Sequence, residues 1–227
     1  MDEESVVDVG DVRLAYRTWG DEDAHPVVLL HSLGDNAAGW EETAVILAEE
    51  WRVYAPDLRG HGESDWPEDY SFELMRDDVL GFLDACDLPR VGLVGHSMGG
   101  VVAYLLTQEH PDRVERLVLE ETPPPFPREP VTHVRPDEPL TYDWPVVPAM
   151  KGQTDDPDPD WLERLGEITV PTLLIGGGPD SHVPQRQISD MAERIPDSRM
   201  VIIPAGHSVH EAQPRQFAEQ VTEFFTS

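Results

Sequence analysis

Cysteine and lysine are almost missing from this chain, and a long apolar run is missing altogether. Cys86 is the only cysteine among 227 residues, which excludes an intrachain disulfide and a cysteine-built metal site. It falls in a helical pattern with Val79, Leu80 and Leu83, so it reads as a small buried hydrophobe. Nothing approaches the ~20 consecutive apolar residues of a membrane span. The start, Met1-Asp2-Glu3-Glu4, has neither the basic nor the apolar region of a secretory signal, and a cytoplasmic location is expected. The nine histidines include no H-E-x-x-H pair, so no metal is expected. Gly60-His61-Gly62 lacks both the lysine of a phosphate loop and the spacing of a dinucleotide fingerprint. No cofactor is expected.

Positive charge is scarce as well. There are 45 acidic residues against 16 basic ones, a net charge of −29, and Lys151 is the only lysine. Such a surface repels phosphate backbones and anionic lipid, which disfavours nucleic-acid and membrane partners. The same composition fits an acidic, arginine-preferring proteome or adaptation to high salt, where screening relieves carboxylate repulsion.

What is present is alternation. Residues 5–9, 12–19, 27–30, 53–55, 91–94, 114–120, 172–176 and 200–203 read as strands. Residues 41–50, 72–87, 188–195 and 217–225 read as helices, with another after Gly100. Short continuous apolar strands between helices predict an α/β fold, with a mostly parallel sheet covered on both faces. Residues 1–122 and 169–227 form its core. Residues 123–168 read as an insertion, and the stretch 123–159 carries eleven of the 22 prolines with little helical period. Its aromatics, Tyr142 and Trp144, with Trp161 just beyond, favour a short lid over a solvated linker.

Gly95-His96-Ser97-Met98-Gly99 lies between an apolar strand and a helical run. In that setting G-x-S-x-G holds its serine on a strained turn with Oγ exposed above the sheet. A serine hydroxyl needs a base within reach. His207 follows the last strand and is preceded by Gly206, with His210 its rival. The histidine needs a carboxylate. Asp180 is placed best, on a glycine-rich turn after the strand 172–176; Glu120 and Glu121 are the alternatives. Two backbone donors are expected for a developing oxyanion, the N–H groups of Met98 and Leu33.

Five motifs in order resemble the α/β-hydrolase superfamily: His31-Ser32-Leu33-Gly34, then Asp57-Leu58-Arg59-Gly60-His61-Gly62-Glu63-Ser64, then 95–100, 177–184 and Gly206-His207. The resemblance covers essentially the whole chain. It is closest to the lid-bearing, cofactor-free branch of esterases, lactonases, C–C bond hydrolases and perhydrolases. That branch usually has glycine where Ser32 stands, and aspartate nucleophiles of its epoxide hydrolases and dehalogenases are replaced here by Ser97. The resemblance implies a serine hydrolase acting on a small carboxylic ester, thioester or lactone. C–C bond cleavage, a lyase reaction on the same residues and a non-catalytic binder are the alternatives.

Overall fold

The computed structural model describes residues 3–227, with side chains from residue 4 onward. The Met1-Asp2 start, read above as carrying no secretory signal, lies outside the described residues. Eight strands make one sheet: β1 (Glu3–Val9), β2 (Val12–Trp19), β3 (Pro26–Leu30), β4 (Arg52–Pro56), β5 (Val91–His96), β6 (Val114–Glu120), β7 (Thr172–Gly176) and β8 (Ser198–Ile202). Their spatial order is β1-β2-β4-β3-β5-β6-β7-β8. β2 runs antiparallel to β1 and β4, and every other neighbouring pair is parallel.

The apolar strands are continuous because both faces of the sheet are covered. Successive side chains of a strand point to opposite faces. Val28 and Leu30 of β3, Leu93 of β5 and Leu117 and Leu119 of β6 enter one core. Their alternates Val27, Leu29, Val94 and Val118 enter the other. The helices are α1 (Glu41–Leu47), α2 (Phe72–Ala85), α3 (Met98–Glu109), α4 (Val146–Asp155), α5 (Pro159–Glu163), α6 (Gln185–Ala192), α7 (Val209–Ala212) and α8 (Pro214–Thr226). α2 and α3 fill the first core with Phe72, Met75, Phe82, Val101 and Leu105. α1 and α8 fill the second with Leu47, Phe217 and Val221, over Trp40. α3 is apolar almost all round and buried from Met98 to Gln108, as expected of a helix enclosed on every side. No helix among the described residues is long and apolar enough to cross a membrane.

Residues 123–145 contain no helix and no strand beyond an isolated bridge between His61 and Tyr142. Proline supplies no N–H, so a segment this rich in it cannot keep a regular ladder. The excursion is nevertheless tied to the turn after β4. Gly62 N donates to Thr141 O at 2.8 Å, Asp143 N to Gly60 O at 2.8 Å, and Tyr70 Oη to Asp143 Oδ2 at 2.8 Å. The sequence shows little helical period here, yet α4 forms across residues 146–155. Pro148 is the third residue of that helix, in the first turn, where an N–H would have no intrahelical acceptor anyway.

Candidate active site

Ser97 sits between β5 and α3 with φ 51° and ψ −110°. A non-glycine residue held there stores about 1–3 kcal/mol of backbone strain, which only rigid surroundings sustain. Its N–H donates to Glu120 O at 2.9 Å, and Gly100 N donates back to Ser97 O at 3.0 Å. A side chain at Gly99 would collide with Leu30 O, and one at Gly95 with Gly99 O. The two glycines therefore let helix and strand approach as closely as the elbow requires. Ser97, Met98 and Leu33 line one small cleft, about 70 Å³, together with Phe72, Met150 and Lys151. Met98 opens α3, so its N–H has no acceptor in its own helix. Larger hollows, about 510 Å³ beside Asp57 and Trp66 and about 760 Å³ beside α1, touch neither Ser97 nor His207.

His207 lies on the loop after β8. Ala205 N and Gly206 N both donate to Gly177 O at 3.0 Å, and Gly206 takes φ +80°. His96 Nε2 reaches His207 O at 3.0 Å. The His182 ring lies 4.1 Å from the His207 ring.

The carboxylate facing His207 is not the one favoured from sequence. Asp180 is exposed and has no hydrogen bond to His207 among the described residues. Glu121 Oε2 lies 3.4 Å from His207 Nδ1. Glu121 is fully buried and accepts from three further donors: Gly177 N, Ser181 Oγ and Gln185 Nε2, the last at 2.9 Å. A carboxylate surrounded only by donors is held ionised. Burial alone would raise its pKa, but His207, Ser181, Gly177 and Gln185 together hold it below the usual range. The glycine-rich turn does serve the site, through the Gly177 backbone and Ser181, while its aspartate points to water. The available signal was two adjacent acids directly after the apolar run Leu117-Val118-Leu119. Glu121 completes the turn out of β6 with φ 46°.

Beneath this pair lies a second one. His210 Nδ1 contacts Glu120 Oε2 at 2.7 Å, and His210 N donates to Glu120 Oε1 at 2.9 Å. Both residues are fully buried, and the Trp40 ring stacks on His210 with centroids 3.8 Å apart. The pair anchors the end of the loop that carries His207. One ligand atom from each of His96, Glu120 and His210 lies within 4.8 Å of the other two, but His210 already engages both Glu120 oxygens. Burial would raise Glu120, yet the neighbouring His210 and His96 bring it down to about 2. Burial would lower His210, yet Glu120 holds it above its ordinary value. The carboxylate's contribution is present above 4.5 and is lost as pH falls through about 2. The histidine's is present below 6.5 and is lost as pH rises through its raised folded value. The pair thus stabilises fully between about pH 4.5 and 6.5. Glu120→Gln, which leaves His210 uncompensated, is expected to cost about 3 kcal/mol in that window. Urea unfolding at pH 6 measures this; a loss below 0.5 kcal/mol would show the pair to be dispensable.

A family model described as the alpha/beta hydrolase fold matches residues 25–144 of this chain. The chain belongs to the alpha/beta hydrolase family. Along its length this hydrolase is 30% identical to a putative 2-succinyl-6-hydroxy-2,4-cyclohexadiene-1-carboxylate synthase of Bacillus subtilis, covering 95% of this chain and 96% of that one. It is 25% identical to the enol-lactonase of Burkholderia xenovorans at a TM-score of 0.84, covering 98% of this chain and 100% of that one. It is 26% identical to an N-acyl homoserine lactone degrading enzyme at a TM-score of 0.83, with 97% and 100% covered.

Ser97, Leu33 and Met98 share one rim with His182, whose ring lies 4.1 Å from that of His207; no hydrogen bond joins Ser97 Oγ to His207 among the described residues. Two residues on that rim went unnoticed in the sequence reading. Lys151 and Arg128 line the cleft with Ser97. The only sequence signal for Lys151 was its rarity.

Proposed function

We propose that this hydrolase transfers the acyl group of a small carboxylic ester, thioester or lactone to water through an acyl-enzyme on Ser97. The carrying observation is the juxtaposition of His207 Nδ1 with the buried Glu121 carboxylate, beside His182, which lines the cleft of the strained Ser97 elbow. A carboxylate at Nδ1 fixes the tautomer that leaves Nε2 free as a base. Ser97 Oγ attacks the carbonyl carbon and its proton passes to His207 Nε2. The carbonyl oxygen becomes an oxyanion, received by the Met98 and Leu33 N–H groups. Collapse breaks the bond to the leaving oxygen or sulfur, which takes the proton from His207. Water, deprotonated by the same imidazole, then attacks the acyl carbon and frees the acid and Ser97. Residues 123–168 form the cover of the cleft, contributing Pro123, Arg128, Met150, Lys151 and Thr154 to its wall.

The kinship with a synthase named for a cyclohexadiene carboxylate favours a second reading, a lyase or C–C bond reaction on the same residues. Product analysis separates the two. The direct test is hydrolysis of 4-nitrophenyl butyrate by wild type and Ser97→Ala. Ser97→Ala is expected to lower kcat by about 10⁴-fold or more. Turnover that persists in the variant overturns the reading.

A further inference from the structure

We infer that Lys151 and Arg128 form an anion-binding subsite beside Ser97 that selects substrates carrying a carboxylate. This rests on the acyl-transfer reading and adds a substrate class to it.

The distribution of charge is the first ground. With 45 acids in 227 residues, eleven wall positions would by chance hold about two carboxylates. The wall of the Ser97 cleft holds none, and it holds the chain's single lysine together with Arg128. On a molecule of net charge −29 this is a local reversal of sign. A low-dielectric cleft lined by one sign of charge concentrates ligands of the other.

The state of the two cations is the second ground. Lys151 is half-buried and makes no ion pair among the described residues. Burial, with Arg128 adding to it, pulls its pKa below that of a free lysine, and Asp155 counters only in part. A half-buried ammonium without a partner has lost part of its hydration, and an incoming anion offsets that loss. Arg128 is held by its backbone N–H to Asp155 O at 2.9 Å and by its Nε to Thr154 O at 3.1 Å. Asp155 Oδ1 stands 3.6 Å from Nε. That leaves the two terminal guanidinium nitrogens without a hydrogen bond to any described residue, the edge that receives a carboxylate in two-point fashion.

The mounting is the third ground. Lys151 stands between Met150 and Thr154 on the wall-facing side of α4. That helix is fixed to α2 by Gln153, whose Oε1 accepts from Phe72 N at 2.8 Å and whose Nε2 donates to Glu73 at 2.8 Å. Glu73 is thereby turned away to an amide, and Glu121 across the site is occupied by its four donors. Neither of these acids competes for the two cations; Asp155 does, but it meets the exposed Arg128 only from the Nε side, at 3.6 Å. His182, on the same wall, has its basicity lowered by burial first, then by His207 and Lys151; Glu121 raises it in part and Arg128 lowers it further.

The test compares kcat/KM for mono-4-nitrophenyl adipate with 4-nitrophenyl hexanoate, and for 4-acetoxybenzoate with phenyl acetate. These place the carboxylate in the acyl part and in the leaving group respectively. At least one anionic ester is expected to be preferred about tenfold or more. That preference should fall at least tenfold in Lys151→Gln and in Arg128→Gln, mainly through KM, and be largely restored in Lys151→Arg. No preference for either anion, or a preference that both substitutions leave intact, overturns the subsite while acyl transfer stands. If wild type cleaves none of the four, or Ser97→Ala cleaves them equally, the acyl-transfer reading has failed instead. The subsite is then decided by calorimetric titration of adipate into wild type and Lys151→Gln. Binding lost in the variant supports it, and absent or unchanged binding overturns it.

Discussion

Glutamine at position 121 is expected to lower kcat by about 10⁴-fold, by analogy with loss of the tautomer-fixing carboxylate in serine proteases. Asparagine at position 180 is expected to leave it within twofold of wild type. Glu121 accepts from Gly177 N, Ser181 Oγ, Gln185 Nε2 and His207 Nδ1. An amide in its place must turn an NH₂ toward one of these donors. Turned toward His207, it forces the proton onto Nε2 and removes the base. Turned toward Gly177, it opposes a backbone N–H and disturbs the turn that carries the His207 loop. Asp180 is exposed, so its carboxylate exchanges only with water. Steady-state kinetics on the two variants decide between the carboxylates. A large loss in Asp180→Asn with a mild one in Glu121→Gln would reverse the assignment.

Acid is expected to destabilise this protein steeply before its carboxylates are neutralised. Burial holds His31 down at about 4 and is the main cause that holds His61 and His96 at about 3, against the pull of Glu120 at His96. Geometry agrees in the case of His31. Its Nδ1 lies 2.8 Å from Ser32 O while its Nε2 accepts from Leu58 N at 2.9 Å, so a second proton would break a bond already made. The unfolded chain takes up these protons near pH 6.5 and the folded chain does not, so stability falls as pH drops below that value. The loss reaches about 3 kcal/mol per histidine by pH 4, against a total of about 5–15 kcal/mol for a typical domain. Neutralising the acidic surface works in the opposite direction, but exposed charges are largely screened at 0.15 M salt. Urea midpoints in that salt should drop steeply between pH 7 and 4.5. His31→Gln, which keeps an acceptor and a donor without an ionisable proton, should flatten the slope by about one third. A midpoint that does not move with pH would mean these rings already carry protons in the fold.

Much of this architecture was legible because its rules are local. Val27 to Leu30 and Leu173 to Ile175 are unbroken apolar runs, and both proved to be strands covered on two faces. The glycines around Ser97 announced a close approach, and a backbone carbonyl stands where each Cβ would go. The acid was harder to read, since Asp180 and Glu121 follow neighbouring strands and both precede His207 in the chain. Which of them turns inward depends on φ 46° at Glu121 and on donors contributed from 56 to 86 residues away. α4 was hidden by proline content, because Pro148 falls in the one turn where proline is harmless. Lys151 and Arg128 were unreadable for another reason: their meaning lies in which wall they face, and no residue near them in sequence states it.

Residues 123–168 leave β6 and return to β7, two strands that are hydrogen-bonded neighbours. Such a loop can be exchanged for another of different length without disturbing the order of the sheet, which makes it the natural place for a lineage to vary its diet. Here the exchange is not free. The point of departure is Thr122, one residue after Glu121, and Gly100 fits against its side chain with no room for a methyl group. A transplanted segment that pulls on this junction also pulls on Glu121, which faces His207, and on the helix that follows Ser97. If residues 123–168 set which molecules enter the cleft, exchanging them is expected to change turnover together with substrate range.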